Sequence, residues 1–280
     1  MTENIQHNPN FKIETYNIPP TDLIPNSGWP LIVYREYYNF EDEDLSIKFF
    51  DLLLKNEWQP KWIYQYGNSQ RSHYHPTSHE VMLVLSGEAK IKFGSGDLTS
   101  NINESLKKGK FELGGIILNA KKGDIFLLPA GLSHKTFNTK PLNSFKLLTP
   151  NGTKTMTLES KKKLKEIKEI NKEKGFIMMG GYPFNFLPGK FSVGGEGALE
   201  FSKVWSIPKP NFDPILGNSI LGLNYLWKGN NAFPITNTKI NNENENETLP
   251  KDKLDYLIPF PEINSWRADL VNIDSLEEKI

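Results

Sequence analysis

The chain contains no cysteine, so neither disulfide bonds nor thiolate chemistry is available to it. It has no net charge either. The 33 basic residues balance 33 acidic ones, which removes the electrostatic case for binding nucleic acid or an anionic membrane. No apolar run approaches the length of a spanning helix, and the opening stretch Met1–His7 has no apolar core. The expectation is a soluble, cytoplasmic protein with no nucleic-acid or membrane partner. Histidine is scarce as well. Of five in 280 residues, four (His73, His75, His79 and His134) fall in two short segments.

Those segments read Gly67-x5-His73-x-His75-x4-Glu80-x6-Gly87 and Gly123-x5-Pro129-x-Gly131-x2-His134-x3-Asn138. Side chains alternate faces along a strand, so His73 and His75 project from the same face. Pro76-Thr77-Ser78-His79 is long enough for a bend, after which Glu80 re-enters that face. Val81–Leu85 is apolar and β-prone, as a strand buried on both sides would be. Gly87 supplies a turn, and Ala89–Phe93 alternates as the return strand. In the second segment Ile125–Leu128 is an apolar strand, Pro129-Ala130-Gly131 ends it, and His134 opens the next.

Three imidazoles and one carboxylate form a mixed nitrogen and oxygen donor set. It suits one divalent transition ion (Fe, Mn, Ni, Zn or Cu) and is poor for Ca or Mg, which prefer oxygen. The bland alternative is a set of surface histidines on a β-sandwich, and two independent matching segments weigh against it. His79 is either a partner that orients a ligand or a surface residue in the bend. Tyr64 and Tyr66 share one strand face. They could line a cavity, as could Met82, Val84, Phe126, Leu128, Thr136 and Phe176, or simply pack it. Lys135 points away from the face of His134.

Together the two segments resemble the cupin superfamily, and every spacer fits that family's consensus. The extra histidine before Glu80 makes His73–Val81 similar to a subgroup of small cupins, the YjlB-like proteins of bacteria and fungi. Glu14–Pro19, Ile24–Asn26, Leu31–Arg35, Gly180–Pro183, Lys203–Pro208 and Asp213–Gly217 are similar to that subgroup too. The resemblance implies an all-β fold, a double-stranded β-helix or cupin jelly-roll barrel, with an N-terminal helix and polar helical or disordered insertions. It also implies a metal ion on His73, His75, Glu80 and His134, and a small-molecule ligand in the barrel. It implies no particular reaction.

Residues 1–11 read as a flexible N-terminus, and 12–230 as a single cupin domain with its metal-site core at 60–142. Glu41–Asp44 opens a helix running through Lys55, with Leu45, Phe49, Leu52 and Leu53 as its apolar stripe. Insertions fall near 95–110 and 160–174. The second reads as a solvated helix, because Glu166, Glu169 and Glu173 interleave its lysines. Residues 231–280 form a C-terminal extension, with a low-complexity, disordered tract at 241–248.

The function expected is that of a metal-dependent enzyme, of dioxygenase or isomerase/lyase type, acting on a small organic molecule. The alternative is a non-catalytic small-molecule-binding or storage-type cupin. A positioned acid or base besides the ligands would separate the two, and Tyr64, Tyr66 and His79 are the candidates. Cupin sheets commonly pair through strands and N-terminal extensions that leave an edge in need of cover, so the resemblance implies a homodimer, with the extended segment 12–38 as the participant. Light scattering at micromolar concentration checks this, and a monomeric mass rules it out.

Overall fold

The structure, a computed structural model, describes residues 7–39, 44–150, 156–165, 174–186 and 191–229. The sequence-predicted tract at 241–248, the acidic residues 41–43, and Glu166, Glu169 and Glu173 of the lysine-rich insertion lie outside them. Two antiparallel sheets face each other as a double-stranded β-helix. The larger contains β1 (Lys12–Tyr16), β2 (Leu31–Arg35), β3 (Trp58–Gln65), β4 (Glu80–Ser86), β7 (Ile125–Leu128), β9 (Lys146–Leu147) and β10 (Ile177–Pro183), in the order β1-β2-β7-β4-β10-β3-β9. The smaller is β6 (Ile116–Lys121), β5 (Glu88–Phe93) and β8 (His134–Lys140), in that order. Four helices are described: α1 (Leu45–Lys55), α2 (Leu158–Leu164), α3 (Ala198–Trp205) and α4 (Leu223–Leu226).

The period-2 alternation of β4 divides the core in two. Met82 and Val84 face the barrel interior with Val33, Ile91, Phe93, Phe126, Leu128 and Met178. Val81, Leu83 and Leu85 face outward, against Phe49 and Leu53 of α1 and against Trp58, Ile215 and Trp227. Every residue of β4 is buried, which fits the unbroken apolar run Val81–Leu85 at its centre. The outer cover is tied down at its polar tips. Trp227 Nε1 donates to Pro30 O at 2.9 Å, and Trp58 Nε1 donates to Phe212 O at 2.9 Å. Asp213 accepts from the backbone of Ile215, Leu216 and Leu223 and from the Tyr34 hydroxyl.

Helix α1 begins later than the acidic stretch implies. Its first turn holds no acidic residue, and Asp44 stands at the N-cap with φ 58° and makes no side-chain capping bond. The apolar stripe carries the helix instead: Leu45, Phe49, Leu52 and Leu53 are all buried, and Phe50 joins them. In α2, Thr157 caps the N-terminus by accepting from Ser160 N. Leu164 anchors the same helix in the outer core.

The polar insertion near 95–110 is folded down over the outer face of the small sheet. Lys92 and Lys135 are cross-strand partners on that face. Lys135 Nζ donates to Asp97 Oδ1 at 2.9 Å and to the Ser105 hydroxyl. Lys92 Nζ lies 3.4 Å from the centre of the Phe111 ring and makes no hydrogen bond. Burial, and then the neighbouring Lys135, brings its ammonium down to about 7, although Asp97 and Glu112 oppose the shift.

An unfolded lysine titrates near 10.4. Between about pH 7 and 10 the unfolded chain therefore binds the extra proton, and stability rises with pH across that window. Lys92→Met keeps the stem's packing and removes the unpaired charge. It should raise stability at pH 7 by about 1–2 kcal/mol and flatten the rise at higher pH, as read by urea unfolding at pH 7 and 9.5.

Candidate metal centre

His73 and His75 lie on the stretch between β3 and β4, held on both sides by backbone bonds. His73 N and O pair with His134 O and N at 3.2 and 2.9 Å, and Tyr74 N and O pair with Ser192 at 2.8 and 2.9 Å. Gly131 N donates to His75 O at 3.0 Å, which brings the turn before β8 against the same stretch. Glu80 opens β4 opposite Leu128. His134 opens β8 opposite Phe93 of the barrel interior.

These four side chains, predicted from spacing, meet inside the barrel. The nitrogen donors of His73, His75 and His134 lie within 4.8 Å of one another. Glu80 Oε2 stands 3.3 Å from His134 Nε2, and Glu80 Oε1 stands 3.5 Å from His75 Nε2. Donors held at about 2.1 Å from one ion would be about 3 Å apart at a right angle and about 4.2 Å apart across it, so the imidazole cluster is close to, and slightly wider than, a single coordination sphere.

Protonation fits the same use. His73 Nδ1 is 3.1 Å from Arg71 O and His134 Nδ1 is 3.5 Å from Leu132 O. A carbonyl can only accept, so both rings carry their proton on Nδ1 and present the Nε2 lone pair to the cluster. Glu80 Oε2 is buried and receives no hydrogen bond. A buried carboxylate oxygen facing an imidazole lone pair with no proton between them is costly, and a cation relieves it. The donor set therefore fits a divalent transition ion. Burial, with the neighbouring His134 and His75, lowers His73 to about 3, and burial lowers His134 as well, so both imidazoles are neutral at pH 7. Burial alone would raise the Glu80 carboxyl, but the charge and hydrogen bond of His75 outweigh it and hold the group down at about 2.

The remaining candidates are placed differently. Tyr64 and Tyr66 do share the barrel face, with ring centres 6.4 Å apart. Tyr64 stacks on Phe145, and Tyr66 packs against Phe145 and Phe176. Met82, Val84, Phe126, Leu128 and Phe176 line the same interior. His79 takes the opposite face from Glu80, in the outer core, with its ring 5.9 Å from Trp29 and 5.0 Å from Trp227. Ala130 N donates to its Nδ1 at 2.9 Å, so Nε2 carries the proton and donates to Pro208 O at 3.0 Å.

Sequence reasoning missed Tyr182 and Trp62. The Tyr182 hydroxyl donates to Glu80 Oε1 at 2.8 Å and lies 3.4 Å from His75 Nε2, and Trp62 Nε1 donates to it at 3.1 Å. The available signal was the pair Gly180-Gly181 just before Tyr182, but only the pairing of β10 with β3 and β4 gives it meaning. Phe191, 60 % exposed, sets its ring 5.1 Å from that of His73 on the solvent side.

Residues 62–173 match the family model described as Cupin. The chain is 28 % identical over 132 residues to the uncharacterized protein YjlB of Bacillus subtilis (strain 168), a match spanning 46 % of this chain and 64 % of YjlB, just under two thirds of the relative's length. It is similar to an uncharacterized Klebsiella pneumoniae protein with a double-stranded β-helix domain (15 % identity, 68 % of this chain, 88 % of that one, TM-score 0.23). Hazelnut (Corylus avellana) vicilin is also similar (12 % identity, 67 % and 35 % covered, TM-score 0.23). Structural likeness at these scores carries no weight for function. The chain is therefore cupin-like over residues 62–173 and similar to YjlB over part of its length. Among the described residues no helix is long and apolar enough to cross a membrane.

The environment of His79 predicts an acid-sensitive core. Burial lowers its imidazole to about 4, against about 6.5 in an unfolded chain. As pH falls below 6.5 the unfolded chain gains a proton that the folded one resists, so stability declines until about pH 4. His79→Leu leaves the Ala130 N–H and Pro208 carbonyl unpaired and should cost about 2–4 kcal/mol at pH 7. It should also make the decline between pH 6.5 and 4.5 shallower than in wild type. Urea unfolding of metal-free protein at several pH values measures both.

Proposed function

We propose that this cupin is a mononuclear metal-dependent enzyme acting on a small organic molecule, with His73, His75, Glu80 and His134 as the metal ligands. The observation that carries the reading is a cluster of three imidazoles beside a buried carboxylate, of which His134 faces the oxygen that has no hydrogen-bond donor. An ion held by four such donors keeps one or two positions for other ligands and supplies Lewis-acid polarisation of a carbonyl or hydroxyl, or oxidative chemistry if it is iron.

The protein's own groups frame that chemistry. The Nδ1 bonds of His73 and His134 to backbone carbonyls fix the orientation of each ring and keep Nε2 free of a proton. Burial, with the charge of Glu80, keeps the phenols of Tyr66 and Tyr182 well above their ordinary values, so both remain protonated at neutral pH and act as donors, not bases. Phe191 covers His73 on its solvent side and limits water. Tyr64, Tyr66, Met82 and Phe126 give the interior the apolar wall that a small organic molecule needs. The same wall would suit a non-catalytic small-molecule-binding or storage-type cupin, and turnover of a bound molecule is what separates the two.

Metal analysis of protein purified without a histidine tag should find about one Fe, Mn, Ni, Zn or Cu per chain. Ala at any one of the four ligand positions should lower occupancy, and Ala at two should abolish it while far-UV circular dichroism stays unchanged. The strands Val81–Leu85 and Ile125–Leu128 supply the core burial, so the barrel does not need the ion to fold. Retention of none of the five metals after supplementation and desalting would sink the reading. Oxygen uptake with diols, keto acids and sugars then separates oxidative from isomerase-type activity.

A further inference from the structure

We propose that Tyr182, seated by Trp62, is a positioning residue that commits Glu80 to bind its ion through a single oxygen, Oε2. The inference rests on the metal reading above and adds the device that sets the denticity of its carboxylate.

The two oxygens of Glu80 are treated unequally. Oε1 accepts the Tyr182 hydroxyl proton at 2.8 Å, whereas Oε2 is buried, receives no donor and stands 3.3 Å from His134 Nε2. Tyr182 has one proton, and it goes to Oε1. Its oxygen in turn accepts Trp62 Nε1–H at 3.1 Å, so the hydroxyl is held in one orientation from both sides.

Three strands build this arrangement. Gly181 pairs with Val81, so one step along the same register sets Tyr182 opposite Glu80. Gly180 pairs with Trp62. A Cβ at Gly180 would lie 2.1 Å from the indole ring, so only glycine lets the indole lie across β10 with its N–H directed at Tyr182. A register shift between Gly180 and Gly181 separates the residue that makes room from the residue that makes the bond.

A carboxylate with both oxygens free can occupy two coordination positions. A charge-assisted hydrogen bond on one oxygen draws electron density there and leaves the other as the donor. The clamp therefore preserves a coordination position for a further ligand. A merely structural tyrosine, present to satisfy a buried carboxylate, would affect stability but not denticity.

Co(II) added to metal-free protein at one pH separates the two roles. Wild type, Tyr182→Phe and Trp62→Phe are compared for affinity and for the visible Co(II) bands, with thermal melts as the check on folding. Tyr182→Phe should bind Co(II) about 10–100-fold more weakly, with weaker, shifted bands as the second oxygen joins the ion. Trp62→Phe should shift both in the same direction and by less, since the hydroxyl remains but loses one restraint. A folded Tyr182→Phe with wild-type bands overturns the proposal, whatever its affinity. If Tyr182→Phe does not fold, unchanged bands in Trp62→Phe overturn it instead. If wild type itself binds no Co(II), the metal reading fails and the proposal falls with it. Binding by wild type with no change in the variants removes the proposal alone.

Discussion

A carboxylate enclosed in an apolar barrel is the constraint on which the rest of this structure depends. Glu80 is 3 % exposed, and an isolated charge there would cost far more than the burial of its neighbours supplies. The fold answers from several directions at once. Tyr182 on β10 bonds one oxygen, while His75 and His134 stand beside the two oxygens. These groups are remote in sequence and meet only when the two sheets close on each other. The site is therefore a product of tertiary structure, and none of its parts would hold its geometry on an isolated hairpin.

The same strand that delivers Glu80 also carries the centre of the fold. Residues 80, 82 and 84 belong to the barrel interior and 81, 83 and 85 to the outer core, so β4 needs cover on both faces. The small sheet supplies one cover. Helix α1 and the segment through Trp227 supply the other. Trp227 in that cover and Trp58 of β3 bury large areas while their N–H tips find backbone carbonyls, whereas Nε1 of Trp29, whose ring stacks against Trp227, has no hydrogen-bond partner. A one-residue slip of β4 would put the carboxylate among Phe49, Leu53 and Trp58 and the leucines against the imidazoles, so burial on both faces specifies the register strongly.

Much of this was legible locally. The pairing of His73 with His75, the re-entry of Glu80 after the Pro76 bend, the apolar strands and the outward direction of Lys135 all follow from strand alternation and turn residues, and the structure places them so. The helix stripe of Leu45, Phe49, Leu52 and Leu53 was legible for the same reason. The start of that helix was not, because a run of acidic residues marks a favourable position for a helix without requiring one. Tyr182 and Trp62 were illegible because their meaning lies in cross-strand register, which no spacing within one segment records. The segment at 95–110 reads as a polar insertion, and most of its tip is exposed, yet its start is bonded internally. Asp97 holds Lys135, and Glu112 accepts from Gly96 N, Leu23 N and the Thr21 hydroxyl. Composition reports polarity, but it does not report where the partners are.

His79 and Glu80 show why the outer core and the site are mechanically one unit. The two residues are adjacent, face opposite sides of the large sheet, and each grips a different part of the structure. His79 Nδ1 holds the N–H of Ala130, and the next residue, Gly131, donates its own N–H to His75 O. The turn Pro129–Gly131 is thus clasped from the outer core by one imidazole and from the barrel by the backbone of a ligand residue. His134 follows that turn by three residues and bonds back to His73. Ala130 therefore connects the indoles packed around His79 to the turn that precedes β8 and His134. The connection is made of directed hydrogen bonds between buried groups, each costly to break. The His73 and His134 rings are thus held by backbone bonds within the barrel and by a turn that His79 clasps from the outer core.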